Sequence, residues 1–369
     1  MKSHAAFIIT TVVLSSCISV PPILGMSQTT SIRSIGTVVY QASGFLRLSS
    51  GRFQKGGYPF MIHANNYDNA LGVYLIGRSR ATYIDQALQE CLTYGLNSVR
   101  TWATGTSGEG NGVYSLWRSN PQEFFKRFDE FIQLCKDKNI FLVITLGVAE
   151  FFTRGGGNLG DGASGSYAIY RDWVTQICGR YKNEPQILLW EVLNEYEYSG
   201  QPAGLVRNLN ERASNDIRSV DPNHLISTGS GNCGYDDAFW DSSNGAAGID
   251  IASIHIYSDE VENMLSWKTG WPSYELVRGF LRNWEERASG LGKAILFGEL
   301  GGDVGYDYAN NRTTKPDDQI LRWCLQVIYE LDASYGFHAF RSGSCTDKYS
   351  IVPGHNPQII EELLLHRSM

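Results

Sequence analysis

Short apolar runs and longer amphipathic stretches alternate along this chain. The runs Phe60–Ala64, Ser98–Trp102, Ile140–Leu146, Ile187–Leu193, His224–Thr228, Ile251–Ile256, Ala294–Gly298 and Phe337–Phe340 are rich in β-branched and aromatic residues. Runs without polar alternation mark strands buried on both faces, as in a parallel sheet. Between them, Tyr83, Ile84, Ala87, Leu88, Cys91 and Leu92 recur at helical spacing and end at Gly95, a natural C-terminal stop. Another helix is predicted from Asn120-Pro121-Gln122-Glu123, which places an Asn cap, a proline at the first helical position and a Glu three residues after the cap. It buries Phe124, Phe128, Phe131, Ile132 and Cys135. Tyr170, Trp173, Val174, Ile177 and Tyr181 repeat the pattern, as do Leu321, Cys324, Val327, Ile328 and Leu331. Strands alternating with helices eight times predict an α/β fold, the (β/α)8 TIM barrel, with an open doubly wound sheet as the alternative. Residues 37–58, with Gly51, Gly56 and Gly57, predict a short N-terminal β-hairpin.

Composition narrows the partners. With 43% hydrophobic residues in 369, the chain can bury a large core, and nothing marks a linker or repeat. A net charge of −7 without any run of Lys or Arg argues against nucleic acid and against an anionic membrane surface. Nine Trp, twenty Tyr and sixteen Phe suit a ligand with flat apolar faces, such as a sugar. Residues 1–26 read as a leader: Lys2 precedes the apolar segment Ala5–Leu14, and Pro21-Pro22 ends it. Leu14-Ser15-Ser16-Cys17 also fits a lipoprotein box, which would put a lipid anchor on Cys17. The expectation is therefore an exported protein, extracellular or held at the cell surface, with no membrane span. Its residues 27–369 would form one monomeric catalytic barrel.

Six cysteines follow the leader: Cys91, Cys135, Cys178, Cys233, Cys324 and Cys345. Export predicts some disulfides; buried free thiols are the alternative for Cys91, Cys135, Cys178 and Cys324, which sit at apolar helical positions. The stretch Gly155–Gly162 predicts a mobile loop on the face that carries the site, and Asn311-Arg312-Thr313 is an acceptor for N-linked sugar. Gly155-x-Gly157-x-x-Gly160 also matches a dinucleotide fingerprint, but no strand immediately precedes it. No Gly-x-Ser-x-Gly occurs, which disfavours a serine hydrolase.

In a barrel the chemistry sits at the C-terminal ends of the strands. Those ends supply Arg100 and Trp102, Asn194 and Glu195, His255 and Tyr257, and Glu299. An unpaired carboxylate inside a sheet costs several kcal/mol, so Glu195 and Glu299 are expected to close their strands and face a cleft. Two such carboxyls about 5 to 5.5 Å apart cleave glycosidic bonds with retention. Arginine would keep one ionised, and histidine with tyrosine would orient both. The charge of Glu299 would raise the pKa of Glu195 and give a bell-shaped, mildly acidic pH optimum. No metal or organic cofactor is required.

The stretches Ser98–Trp102, Trp190–Glu195, Asp221–Leu225, Asp250–Tyr257 and Leu291–Glu299 resemble, in order, the retaining glycoside hydrolases of clan A, family 5, and most of all the endo-β-1,4-mannanases of plants and fungi. The resemblance implies Glu195 as acid/base, Glu299 as nucleophile, Asn194 on the sugar 2-hydroxyl, Arg100 and Tyr257 supporting the nucleophile, and His255 in the cleft. It implies a polysaccharide or oligosaccharide substrate. Three positions depart from the pattern: Gly147-Val148-Ala149-Glu150-Phe151 replaces an Asn-Asn-Trp, Phe340 or Arg341 replaces a strand-eight tryptophan, and Tyr196-Glu197 replaces Pro-Arg. Other β-1,4-glycans therefore stay open beside mannan, as does a barrel that binds carbohydrate without cleaving it.

Overall fold

The computed structural model describes residues 44–77, 81–231, 236–269, 271–307, 312–313, 317–338, 351 and 354–365. Eight parallel strands close into a barrel. In chain order they are His63–Asn66, Ser98–Trp102, Phe141–Thr145, Ile187–Glu191, Leu225–Ser227, Ile251–Tyr257, Ala294–Gly301 and Ser334–His338, called here strands one to eight. Helices return the chain after each strand; among them are Ala81–Thr93, Pro121–Asp137, Gly165–Tyr181, Ala203–Val220, Tyr274–Gly290 and Gln319–Glu330.

The helix over Pro121–Asp137 shows why the local signals work. Asn120 caps it by accepting from the Glu123 N–H at 3.2 Å, and Phe124, Phe128, Phe131, Ile132 and Cys135 are all buried. A fully buried Phe contributes about 1.5–3 kcal/mol, so this one face outweighs any single cap. The helix stripes and the outward side chains of the strands share one large core, while a second core fills the barrel interior with Phe60, Ile62, Phe141, Val143, Leu189, Ile251 and Leu296. Leu46 and Phe53 complete that inner core. They come from an antiparallel sheet, Leu46–Ser49, Arg52–Lys55 and Tyr58–Pro59, so the expected hairpin is present with a third short strand. Because its partners Phe141, Ile251 and Ala294 begin their strands, this sheet plugs the N-terminal end of the barrel and leaves the other end for chemistry.

Several expectations need correction. Strand one lies at His63–Asn66 rather than Phe60–Ala64, and strand eight at Ser334–His338 rather than Phe337–Phe340. Strand seven runs on to Gly301, so Glu299 sits within it instead of closing it. The four described cysteines, Cys91, Cys135, Cys178 and Cys324, are free and buried, which favours the thiol alternative; Cys233 and Cys345 lie outside the described residues. The glycine-rich stretch is tightly packed: a Cβ on Gly155 would lie 2.2 Å from the Gly165 carbonyl carbon, and one on Gly160 would lie 2.3 Å from the Leu205 oxygen. These two glycines permit close approach of the backbone to Gly165 and Leu205. The expected leader, Cys17, Asn311, Phe340 and Arg341 also lie outside the described residues, and among those described no helix is long and apolar enough to cross a membrane.

Candidate active site

Arg100 organises the C-terminal mouth of the barrel. On strand two, Ser98, Arg100 and Trp102 share one side of the pleat and Val99 takes the other, facing the helices. The guanidinium is only 1% exposed and reaches four partners: Nε to Glu191 Oε2 at 2.7 Å, one terminal nitrogen to Glu299 Oε1 at 2.8 Å and Asn66 Oδ1 at 3.4 Å, the other to Asn194 Oδ1 at 2.8 Å. Thr145 adds a 2.7 Å hydrogen bond to the same Glu191 oxygen. A rigid, planar set of donors suits this fork, and lysine could not replace it.

Glu299 reaches the interior through a break in register. Phe297 of strand seven pairs with Ile254 of strand six, but Glu299 pairs with His255, so Gly298 is an extra residue in the ladder. Without this bulge, Phe297 and Glu299 would point the same way; with it, Phe297 packs outward and Glu299 turns inward. The Tyr257 hydroxyl donates to Glu299 Oε2. Burial alone would raise the Glu299 pKa, but His255, Arg100, His338 and the Tyr257 hydrogen bond outweigh it and hold the carboxyl down at about 2. It is an anion at any ordinary pH.

Glu195 is built differently. It follows strand four at φ 47°, ψ 42°, a left-handed conformation that costs a residue with a Cβ about 1–3 kcal/mol. Its N–H donates to the Gly229 carbonyl at 2.9 Å, and the preceding Asn194 N–H donates to Gly147 at 2.9 Å, which fix the turn. His255 Nδ1 lies 2.7 Å from Glu195 Oε1 and 3.5 Å from Glu299 Oε1. Burial pulls the His255 pKa down, yet Glu299 and Glu195 more than offset it, so the imidazole stays charged above its usual 6.5.

One oxygen of each glutamate and a ring nitrogen of His255 lie within 4.8 Å of one another. Such a trio could hold a cation in principle. Here Arg100 already supplies a fixed positive charge against Glu299, which opposes a metal ion. The spacing fits the narrow carboxyl pair of retaining cleavage far better than the roughly 6.5–9.5 Å of the inverting kind. Beside Glu195 opens a cleft of about 640 Å³, lined among others by Trp102, Asn111, Val148, Arg154, Asn194 and Tyr198. Glu195 has 29% of its side chain exposed to it, whereas Glu299 lies deeper with 6%.

The structure thus brings together Arg100, Asn194, Glu195, His255, Tyr257 and Glu299, and sets Trp102 on the cleft wall. Sequence reasoning missed Glu191, Asn66, Thr145 and His338, the last with Nδ1 3.8 Å from Glu299 Oε2. Glu191 was visible as an acid inside an apolar run, and its partner Arg100 removes the cost that seemed to exclude it. Asn66 lay beyond the expected end of strand one, and His338 fell inside an expected strand eight whose end was set at Phe340.

Comparison with known proteins gives the family. The profile of the cellulase family, glycosyl hydrolase family 5, matches residues 64–342. The chain belongs to that family and is a glycoside hydrolase, which sets aside the non-catalytic barrel. A mannan endo-1,4-beta-mannosidase 8 of Oryza sativa subsp. japonica is 26% identical, covering 84% of this chain and 95% of its own length. Among solved structures, an endo-1,4-beta-mannanase from Rhizomucor miehei superposes with TM-score 0.65 at 18% identity, over 88% of this chain and all of its own. A beta-glucanase from Saccharophagus degradans gives TM-score 0.62 at 18% identity, over 88% and 94%.

Proposed function

We propose that this chain is an exported hydrolase of β-1,4-linked polysaccharide, an endo-acting mannanase that works by double displacement. The observation that carries this reading is the facing pair Glu195 and Glu299, one part-exposed on the cleft and one buried and ionised, with His255 between them. Glu299 attacks the anomeric carbon while Glu195 protonates the departing oxygen. Glu195 then takes a proton from the water that releases the sugar. Arg100 and Tyr257 hold the attacking carboxylate, and Asn194, whose oxygen is engaged by Arg100, keeps its amide N–H groups for the sugar 2-hydroxyl.

Mannan is supported by the activity that the rice and Rhizomucor proteins carry in their names. A β-1,4-glucan is the second reading, favoured by Val148, Ala149 and Glu150 lining the cleft where an Asn-Asn-Trp was expected. Release of reducing ends from β-mannan, β-1,4-glucan and their oligosaccharides, with product masses, tests both. Cleavage of mannan at internal bonds, lost in Glu299→Ala and Glu195→Ala, is the expected result. Activity that survives in Glu299→Ala would overturn the mechanism.

A further inference from the structure

One buried acid beside the site has no part in the double displacement described above. Glu197, two residues beyond Glu195, is 9% exposed and does not line the cleft. Its Oε1 accepts from the Ser230 hydroxyl at 2.8 Å and from the Gly231 N–H. The segment that it grips touches both halves of the acid/base apparatus. Gly229 accepts from the Glu195 N–H at 2.9 Å, and Gly231 accepts from the His255 N–H at 3.1 Å. Gly231 also lies directly against the Glu195 carboxyl, since a Cβ there would fall 2.6 Å from Oε1.

We infer that Glu197 is a positioning residue: through Ser230 and Gly231 it holds the Glu195 carboxyl at the leaving oxygen and so governs proton transfer without touching the substrate. Three features favour this over a packing role. A carboxylate is the strongest acceptor available for a backbone N–H and a hydroxyl together. The left-handed Glu195 backbone needs outside bonds to persist, and Gly229 supplies one of them. Glu299 is anchored from other strands by Arg100 and Tyr257, so loss of Glu197 leaves the nucleophile in place.

The inference rests on the proposed hydrolase reading, and leaving-group dependence separates the two. In the first step the Glu299 oxygen bonds to the anomeric carbon, the carbon–oxygen bond to the leaving group breaks, and the Glu195 proton goes to that oxygen. A 2,4-dinitrophenolate departs without the proton; a sugar alcohol does not. The experiment compares kcat/KM of the full chain and its variants on mannopentaose and on 2,4-dinitrophenyl β-mannobioside, or on the matching glucosides where the substrate panel selects glucan. Glu197→Ala is expected to lose ~30-fold or more on the oligosaccharide but under ~3-fold on the aryl glycoside. Azide, which attacks the glycosyl-enzyme without a general base, is expected to raise its kcat on the aryl substrate.

Glu197→Gln, whose amide oxygen can accept both hydrogen bonds, is expected to stay within ~5-fold of the parent on both substrates. Ser230→Ala keeps the carboxylate and removes one donor, so it shows a smaller loss of the same selectivity and stands in where Glu197→Ala fails to fold. Equal losses on both substrates, or no loss on the oligosaccharide, would overturn the inference while the hydrolase reading stands. A parent protein that cleaves neither substrate would overturn both.

Discussion

Replacing Arg100 with methionine removes the cation shared by two buried carboxylates. Arg100 contacts Glu191 at 2.7 Å and Glu299 at 2.8 Å, with side-chain exposures of 1%, 0% and 6%. Breaking a buried pair by deleting one partner costs about 3–5 kcal/mol, because the remaining charge has neither water nor a counter-ion. Here Glu191 loses its cation outright, while Glu299 keeps His255 and the Tyr257 hydroxyl, so that range applies to the site as a whole. At about 1.3 °C per kcal/mol for a chain of this size, the melting temperature should fall by roughly 4–7 °C. Glu299 also loses one of the bonds that aim it, and a displacement near 1 Å at a reacting atom costs about 10²-fold in kcat. Glu191→Gln is the informative contrast: it keeps the Arg100–Glu299 pair and the Arg100 bond to an amide oxygen, and should cost about 1–2 kcal/mol. The double variant should be more stable than Arg100→Met alone, since one stranded charge is gone. Thermal melts and kcat on one substrate for the three variants complete the assay. A double variant no more stable than the single, or a Glu191→Gln as damaging as Arg100→Met, would show that Arg100 is not the shared counter-ion of the two acids.

Three further outcomes follow from the same geometry. The His255 pKa is raised, so its contribution to stability is full below pH 6.5 and is lost as pH climbs through the folded value; the Glu299 pKa is depressed, so its contribution is full above pH 4.5 and is lost as pH falls toward 2. Melting curves across pH should therefore show the parent losing its advantage over His255→Gln at alkaline pH, and an advantage that grows there would contradict the assignment. Gly298→Ala places a methyl 2.8 Å from Ser253 Oγ and 3.0 Å from His255 Nε2, and should cost about 1–3 kcal/mol together with a tenfold or larger drop in kcat; full activity would mean that the bulge is dispensable. Titration with a thiol reagent under non-reducing conditions should leave Cys91, Cys135, Cys178 and Cys324 unmodified in the native protein and expose them in denaturant, and mapping any of the four to a disulfide would contradict their free, buried state.

Much of this was legible in the sequence, and the gaps have physical causes. Strands two, three, four, six and seven stood out because sheets covered on both faces write continuous apolar runs. The edges of strands one and eight did not, because Asn65 and Asn66 are polar yet wholly buried, and Ser334 spends its hydroxyl on the Ile62 N–H at 2.8 Å. Glu195 and Glu299 were found as acids next to apolar runs. What a run cannot display is which side chains face inward, since that depends on the partner strand. The bulge at Gly298 appears only in the pairing of strands six and seven, and with it the aim of Glu299. Glu191 was hidden by a sound rule applied without its exception: a buried acid is costly when unpaired, and its partner lay ninety-one residues away on strand two.

Glu195 and Glu299 are expected to act as one retaining pair. Following cleavage of a β-1,4-oligosaccharide by proton NMR, before the sugar anomers equilibrate, reads this directly. The β-anomer should form first. Initial release of the α-anomer would mean direct attack by water across a wider gap, and the geometry assigned to the two carboxylates would be wrong.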